Sequence, residues 1–102
     1  MTVGIVIDVA APVEFYDAVH AAVLRRAGSA VDGLLLHLAR RTDQGFQVVE
    51  VRESRADCDR YDRELVGPVL AELSTGRTPA GEATRTQFEV RGLVVPTGGV
   101  AR

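Results

Sequence analysis

Hydrophobic and polar residues change their spacing along the chain, and the spacing predicts six elements. Alternating or continuous apolar residues at 3–9, 33–40, 46–53 and 86–95 are typical of strands. Residues 12–28 and 54–73 repeat apolar side chains every three or four positions, which is typical of helices packed on one side. The predicted order is therefore strand, helix, strand, strand, helix, strand.

The boundaries carry turn and capping signals. Asp43-Gln44 separates two strands closely enough to predict a tight hairpin. Ser54 is placed to cap the second helix by accepting a hydrogen bond from the amide of Asp57. Gly67-Pro68 lies inside that helix and removes a backbone donor, which predicts a kink or a break into two pieces.

This order predicts an α+β fold of the ferredoxin-like βαββαβ type. Right-handed crossovers place both helices on one face of a four-stranded antiparallel sheet and leave the other face open. The elements follow one another without a long linker, so residues 1–96 are predicted to form one domain, with 97–102 as a flexible tail.

Alternation within each strand assigns side chains to the two faces. We expect the helices to cover the more apolar set, which comprises Ile5, Ile7, Val9, Leu34, Leu36, Leu38, Val49, Val51, Phe88 and Val90. The open face then carries the opposite set, which comprises Asp8, His37, Glu50, Arg52, Gln87, Glu89 and Arg91 together with Val6, Leu35, Phe46 and Val48.

The tight hairpin also predicts a register, with His37 opposite Glu50 and Leu35 opposite Arg52. A carboxylate beside an imidazole orients it and suits it to act as a general base, so His37 and Glu50 are the predicted catalytic pair. The alternative is a polar pair across two strands that only satisfies itself. A small organic ligand is predicted to bind on the open sheet face, and the residues predicted to contact it are Arg52, Asp8, Tyr16 and Phe46.

Tyr16 and His20 lie four residues apart on the first helix and therefore share one side of it. They either line the mouth of a pocket or form the polar edge of an amphipathic helix.

The composition excludes several classes of protein. All 12 basic residues among the 102 are arginine and the net charge is −2, which argues against a phosphate loop with lysine and against nucleic-acid or membrane surfaces. The βαββαβ order also occurs in RNA-recognition domains, but Val48 and Glu50 stand where such domains need exposed aromatic rings. Cys58 has no cysteine partner and no metal spacing is present, so we expect a buried thiol, no metal and a cytoplasmic protein.

The last predicted strand ends in an apolar stretch, 93–95, that has no obvious cover within one subunit. A second copy pressed against the open face would cover it together with Leu35, Phe46 and Val48. The sequence thus predicts a homodimer, the alternative being an apolar tail packed on its own helix.

The segment 49–54, in which Val49-Glu50-Val51-Arg52 leads into Glu53-Ser54 and an acidic second helix, resembles the antibiotic-biosynthesis monooxygenase group of the dimeric α+β barrel superfamily. The resemblance spans about residues 3–95 and implies a homodimer whose subunits hold a small organic molecule between sheet and helices or partner. This chain has Arg52 where the group commonly has tryptophan, it has no asparagine, and its second helix lacks the histidine that binds haem iron in haem-degrading relatives. We therefore expect no cofactor and either monooxygenase-like or proton-transfer (isomerase-like) chemistry, the alternative being a non-catalytic dimeric module.

Overall fold

The computed structural model describes residues 2–27, 33–73 and 83–94 of the chain. Its strands are β1 (Val3–Val9), β2 (Leu34–Thr42), β3 (Gly45–Arg52) and β4 (Ala83–Glu89), and its helices are α1 (Val13–Ala27), α2 (Arg55–Tyr61) and α3 (Gly67–Leu73). The described strands form one antiparallel sheet in the order β2-β3-β1-β4. The predicted ferredoxin-like fold is confirmed.

The second predicted helix is interrupted, as expected from Gly67-Pro68. A π-helical turn, Asp62–Val66, joins α2 to α3, and the amide of Gly67 donates to the carbonyl of Asp62 five residues earlier. The wider turn precedes a proline that has no amide to donate and whose ring would crowd an α-helical carbonyl. Ser54 caps α2 as predicted, since its Oγ accepts from the amide of Asp57 at 3.1 Å.

The β2–β3 hairpin has the predicted turn and register. Thr42 pairs with Gly45 across Asp43-Gln44, and His37 lies directly opposite Glu50. The prediction for Arg52 is wrong, because a register shift between Leu34 and Leu36 puts Leu34, and not Leu35, opposite it.

The predicted assignment of faces is correct for β1 and for Leu34, and wrong for the rest of β2 and for β3 and β4. Register places His37 and Glu50 on the same face as Ile5, under the helices, whereas Leu36, Leu38, Val49, Val51 and Phe88 lie on the open face. Alternation defines two sets of side chains but not which set the helices cover, and both sets contain apolar residues here. The helices select the set that carries the histidine and carboxylate.

The covered face is a mixture of apolar core and buried polar groups. Near the hairpin, Phe46, Val48 and Ala11 form a buried cluster on which Tyr16 of α1 packs. Farther along the sheet, Ile5, Val69 and the thiol of Cys58 are fully buried, which confirms the predicted burial of the cysteine.

Large apolar side chains remain accessible on the open face. Leu36, Leu38 and Phe88 are 39%, 44% and 45% exposed, which is high for side chains of this size on regular strands. The Phe88 ring lies over Gly4 of the neighbouring strand, where a Cβ atom would come within 2.2 Å of the ring. Glycine at this position therefore lets the ring lie flat on the sheet.

The last strand begins and ends earlier than predicted. It covers Ala83–Glu89 instead of 86–95, and Leu93 and Val94 follow it without regular structure, with Val94 almost fully exposed. The described residues include neither the stretch 74–82 before this strand, nor Val95, nor the predicted tail. No helix in the described part of the chain has both the length and the apolar content to cross a membrane.

Candidate functional site

A continuous row of hydrogen-bonded side chains runs between the sheet and the helices. Its members come from different elements: Tyr16 from α1, His37 from β2, Glu50 and Arg52 from β3, and Asp62 from the π-helical turn. Residues two apart on a strand share a face, so Glu50 and Arg52 project to the same side of the sheet. The hairpin register then brings His37 beside Glu50.

His37 stands between a phenol and a carboxylate. Its Nδ1 lies 2.6 Å from Oε2 of Glu50, and its Nε2 lies 2.7 Å from the hydroxyl of Tyr16. The Glu50 side chain is 4% exposed, whereas that of His37 is 24% exposed. The imidazole therefore connects a buried carboxylate to a hydroxyl near the surface.

The carboxyl of Glu50 is held in its ionised form. Burial by itself raises the pKa of Glu50, but the hydrogen bond from His37 and the charge and hydrogen bonds of Arg52 outweigh it, so the pKa lies below its ordinary value. An ionised carboxylate only accepts hydrogen bonds, so Nδ1 of His37 must carry the proton between them. In the neutral imidazole Nε2 is then an acceptor, and the hydroxyl of Tyr16 donates to it.

The guanidinium of Arg52 is buried, and each of its three nitrogens donates to a group of the protein. Its Nε and one terminal nitrogen both donate to Oε1 of Glu50, while its other terminal nitrogen donates to the carbonyl of Cys58 at 3.0 Å and to Asp62 at 3.2 Å. The guanidinium also lies over the ring of Tyr61, 4.5 Å from its centroid. Burial by itself lowers the pKa of Arg52, but the carboxylates of Glu50 and Asp62 raise it above its ordinary value.

A second arginine reaches the far end of the row. Arg85 of β4 contacts Oδ2 of Asp62 at 3.0 Å, so the two oxygens of Asp62 each serve one arginine. The thiol of Cys58 also accepts from Arg52 and Arg85.

At the other end of the row, three rings lie close together with nearly parallel planes. Tyr16 and His20 have centroids 5.5 Å apart, and those of His20 and His37 are 5.8 Å apart. The centroid of the Tyr16 ring also lies 5.4 Å from that of the Phe46 ring, and the two planes are tilted against each other. Burial raises the pKa of the Tyr16 hydroxyl, and the negative charges of Glu50 and Asp17 raise it further, so this hydroxyl keeps its proton.

The structure brings together five of the six residues predicted for the site. Tyr16, His37, Glu50, Arg52 and Phe46 lie in the layer between sheet and helices, while Asp8 lies on the open face. There Asp8 accepts from Gln47, which in turn accepts from Arg40. Their catalytic and ligand-binding roles remain predictions.

Sequence reasoning missed the group that surrounds Arg52. Cys58 was expected only as a buried thiol, Tyr61 only as part of a helix that is apolar on one side, and Asp62 and Arg85 were not singled out. The available signal was the spacing of 58, 61 and 62, which puts an acceptor, a ring and a carboxylate on one side of a helix. No spacing along the sequence points to Arg85.

Within residues 2–27, 33–73 and 83–94, no group of three or more histidine, cysteine or acidic side chains is arranged to hold a metal ion. No buried side-chain nitrogen or oxygen in the described ranges lacks a hydrogen-bond partner. Hydrogen bonds through His37 thus link the buried carboxylate of Glu50 to the hydroxyl of partly buried Tyr16.

Comparison with solved structures finds the same fold in several small proteins, among them antibiotic-biosynthesis-monooxygenase-like ones. SnoaB, a cofactor-independent oxygenase of Streptomyces nogalater solved in a mutant form, superposes with a TM-score of 0.61 at 17% identity, over 91% of this chain and 96% of that one. A candidate antibiotic biosynthesis monooxygenase of Deinococcus radiodurans gives 0.59 at 17% identity, over 96% and 100%. The haem degrader MhuD of Mycobacterium tuberculosis, with two haems bound in its active site, gives 0.55 at 22% identity, over 90% and 98%.

At this level of identity the likeness establishes the fold. No protein-family profile matches the sequence, and no curated protein matches it.

Proposed function

We propose that this protein binds a small organic molecule with an acidic O–H or C–H group at the rim of the layer between sheet and helices, where Tyr16, His37 and Glu50 move a proton. The observation that carries the proposal is the pair of short contacts on His37, one to a buried ionised carboxylate and one to a hydroxyl. A histidine held in this way resembles the oriented general base of hydrolytic triads, with a tyrosine hydroxyl in the position of the serine hydroxyl.

The proton would travel in two coupled steps. Tyr16 accepts the proton of the bound molecule on its oxygen while it passes its own proton to Nε2 of His37. The bound molecule becomes an anion, and the imidazolium that forms is stabilised by the carboxylate of Glu50 at Nδ1. Because the pKa of Tyr16 is raised, the hydroxyl acts as a relay and not as a preformed phenolate.

Monooxygenase-like chemistry is a natural extension of that step. The similar solved structures include a cofactor-independent oxygenase and a haem degrader, so this fold accommodates oxidative reactions on organic molecules. A substrate anion is more easily oxidised than its neutral form, and its formation is the part of such a reaction that Tyr16 and His37 would supply.

The residues of this chain do not suit haem. Both nitrogens of His37 are engaged by protein groups, and α2, α3 and the turn between them contain no histidine. We therefore derive no step through haem.

We further propose that the open face pairs with a second copy of the chain. Leu36, Leu38 and Phe88 would otherwise leave a continuous apolar surface in water. Contact between two such faces would remove it, and the same self-complementary patch would serve both subunits. The sequence also predicted pairing through the open face, but with Phe46 and Val48 among its apolar residues, and these two lie under the helices instead.

A non-catalytic dimeric module is the second candidate function. It is favoured by the completeness of the row, since no buried side-chain polar atom in the described residues is left for a ligand to satisfy. In that case the row serves stability alone.

Binding of p-nitrophenol separates the two candidates, because its visible absorbance reports whether the phenol is ionised. We expect the wild-type protein to bind it in ionised form, and we expect His37→Gln and Tyr16→Phe to weaken binding by about 10- to 100-fold, the range for losing a hydrogen bond to a charged group. Glu64→Gln, on the exposed side of the π-helical turn, serves as the control. Binding that is absent, or equal in all four proteins, would leave the non-catalytic module.

A further inference from the structure

Glu50 divides its two oxygens between two partners. Arg52 directs both Nε and a terminal nitrogen to Oε1, and His37 contacts only Oε2. The arginine therefore holds the carboxylate and leaves the second oxygen for the imidazole. All three groups lie in the same layer, and the two charged ones are almost fully buried.

The position of Arg52 is set in turn from the helical side. Cys58 and Asp62 accept from its remaining terminal nitrogen, and the ring of Tyr61 lies against its plane. Asp62 is itself held by Arg85 of β4. Each nitrogen of the guanidinium has a partner in the protein and the side chain is 3% exposed, so direct contact with a ligand, its role expected from sequence, would require the surrounding side chains to move.

We propose that Arg52 is a positioning residue that sets the direction of proton transfer through His37. The inference rests on the proposed function of Tyr16, His37 and Glu50 and adds a group that acts only through them.

The physical reason lies in the charge of Glu50. Without the charge and hydrogen bonds of Arg52, burial would favour the protonated form of Glu50, and His37 would be left to oppose it. A protonated Glu50 would donate to Nδ1 of His37, and the neutral imidazole would then carry its proton on Nε2. Tyr16 would have to accept from His37, so the row would run in the opposite direction and Nε2 would no longer act as a base.

The groups that face Glu50 from each packed element are few. His37 lies beside it on β2, Arg52 lies on its own strand, and Tyr16 of α1 and Tyr61 of α2 lie close enough for its charge to raise the pKa of both phenols. Among these, Arg52 is the group with a permanent positive charge.

Nitrogen NMR of protein labelled in its two histidines tests the proposal, because the shifts of Nδ1 and Nε2 report which nitrogen carries the proton. His20→Gln identifies the signals of His37. We expect neutral His37 of the wild-type protein to be protonated on Nδ1, and Arg52→Met to move the proton to Nε2 and to shift the carboxyl titration of Glu50 upward. Arg52→Lys keeps the charge and should keep the wild-type tautomer, which a purely structural role would not predict.

Arg63→Met, which removes an exposed arginine from the π-helical turn, is the matched control and should change neither signal. Should Arg52→Met fail to fold, Glu50→Gln makes the same test, since its amide donates to Nδ1 and should move the proton to Nε2. The inference is overturned if folded Arg52→Met, or folded Glu50→Gln, retains the Nδ1 tautomer. Failure of wild type to bind p-nitrophenol would instead refute the proposed function, so the two failures are distinguishable.

Discussion

The two faces of the sheet differ in where they place charged and apolar side chains, and both depart from an ordinary antiparallel sheet. The face under the helices contains His37, Glu50 and Arg52 in a hydrogen-bonded row, while the open face presents Leu36, Leu38 and other apolar side chains. Sheets that face water usually bury their apolar side and expose their polar side. The covered face thus combines an apolar core with buried charges, while the open face leaves large apolar side chains accessible.

The two faces also differ in how their residues are satisfied. On the covered face, charges are paired and hydrogen-bonded within one subunit, so removal of a single member leaves its partner without compensation. On the open face, apolar side chains need only to leave water, so any complementary apolar surface stabilises them. Substitutions on the covered face should therefore lower the stability of the fold, whereas substitutions on the open face should weaken the proposed dimer.

The largest effect is expected from Glu50→Ala. The variant leaves the Arg52 guanidinium buried beside an empty space, and breaking a buried ion pair in this way costs about 3 to 5 kcal/mol of unfolding free energy. Urea unfolding of the variant and the wild type measures the difference. Glu64→Ala, at an exposed carboxyl, should stay within about 0.5 kcal/mol of wild type. A loss for Glu50→Ala as small as the control's would mean that the row contributes little to stability.

The next effect concerns the open face. We expect the wild-type protein to sediment as a dimer and Leu38→Glu to weaken that dimer by about 100-fold or more, because an unpaired carboxylate would be buried between two apolar surfaces. Leu70→Glu is the control, since Leu70 on α3 is 37% exposed against 44% for Leu38 but lies on the helical side. A monomeric wild type, or equal weakening by both variants, would contradict the proposed pairing.

The smallest expected effect is the loss of unfolding free energy when the pH is lowered and Glu50 takes up a proton. The pKa of Glu50 is lower in the folded chain than its ordinary value, so the ionised carboxylate stabilises the fold above the unfolded pKa of about 4.5. That contribution is lost as the pH falls through the folded pKa, where Glu50 takes up a proton. It is the smallest because burial opposes the shift. Unfolding free energy measured from pH 6 downward should fall less steeply in Glu50→Gln than in wild type, and parallel curves would contradict this.

Much of the architecture was accessible from local patterns. Element order, the Ser54 cap, the interruption near Gly67-Pro68 and the β2–β3 hairpin all depend on residues close together in sequence. The pairing of His37 with Glu50 belongs to the same class, because a two-residue turn determines which positions of a hairpin face each other.

Only part of the site could be predicted from the sequence. His37 and Glu50 are neighbours through the hairpin, but Tyr16 and Asp62 reach them from helices whose docking no local pattern describes. Arg85 joins from a strand on the far side of β1, through a sheet order that only the complete fold defines.

By itself, the sequence determined which side chains share a face wherever a strand is regular and which residues meet near the hairpin turn, since both follow from backbone geometry over a few residues. Only the tertiary structure decided which face the helices cover. Both faces of β2 and β3 carry apolar residues, so the hydrophobic effect alone does not choose between them. The choice depends on the register of β1 against β3 and on charges from distant elements that make burial of Glu50 and Arg52 possible.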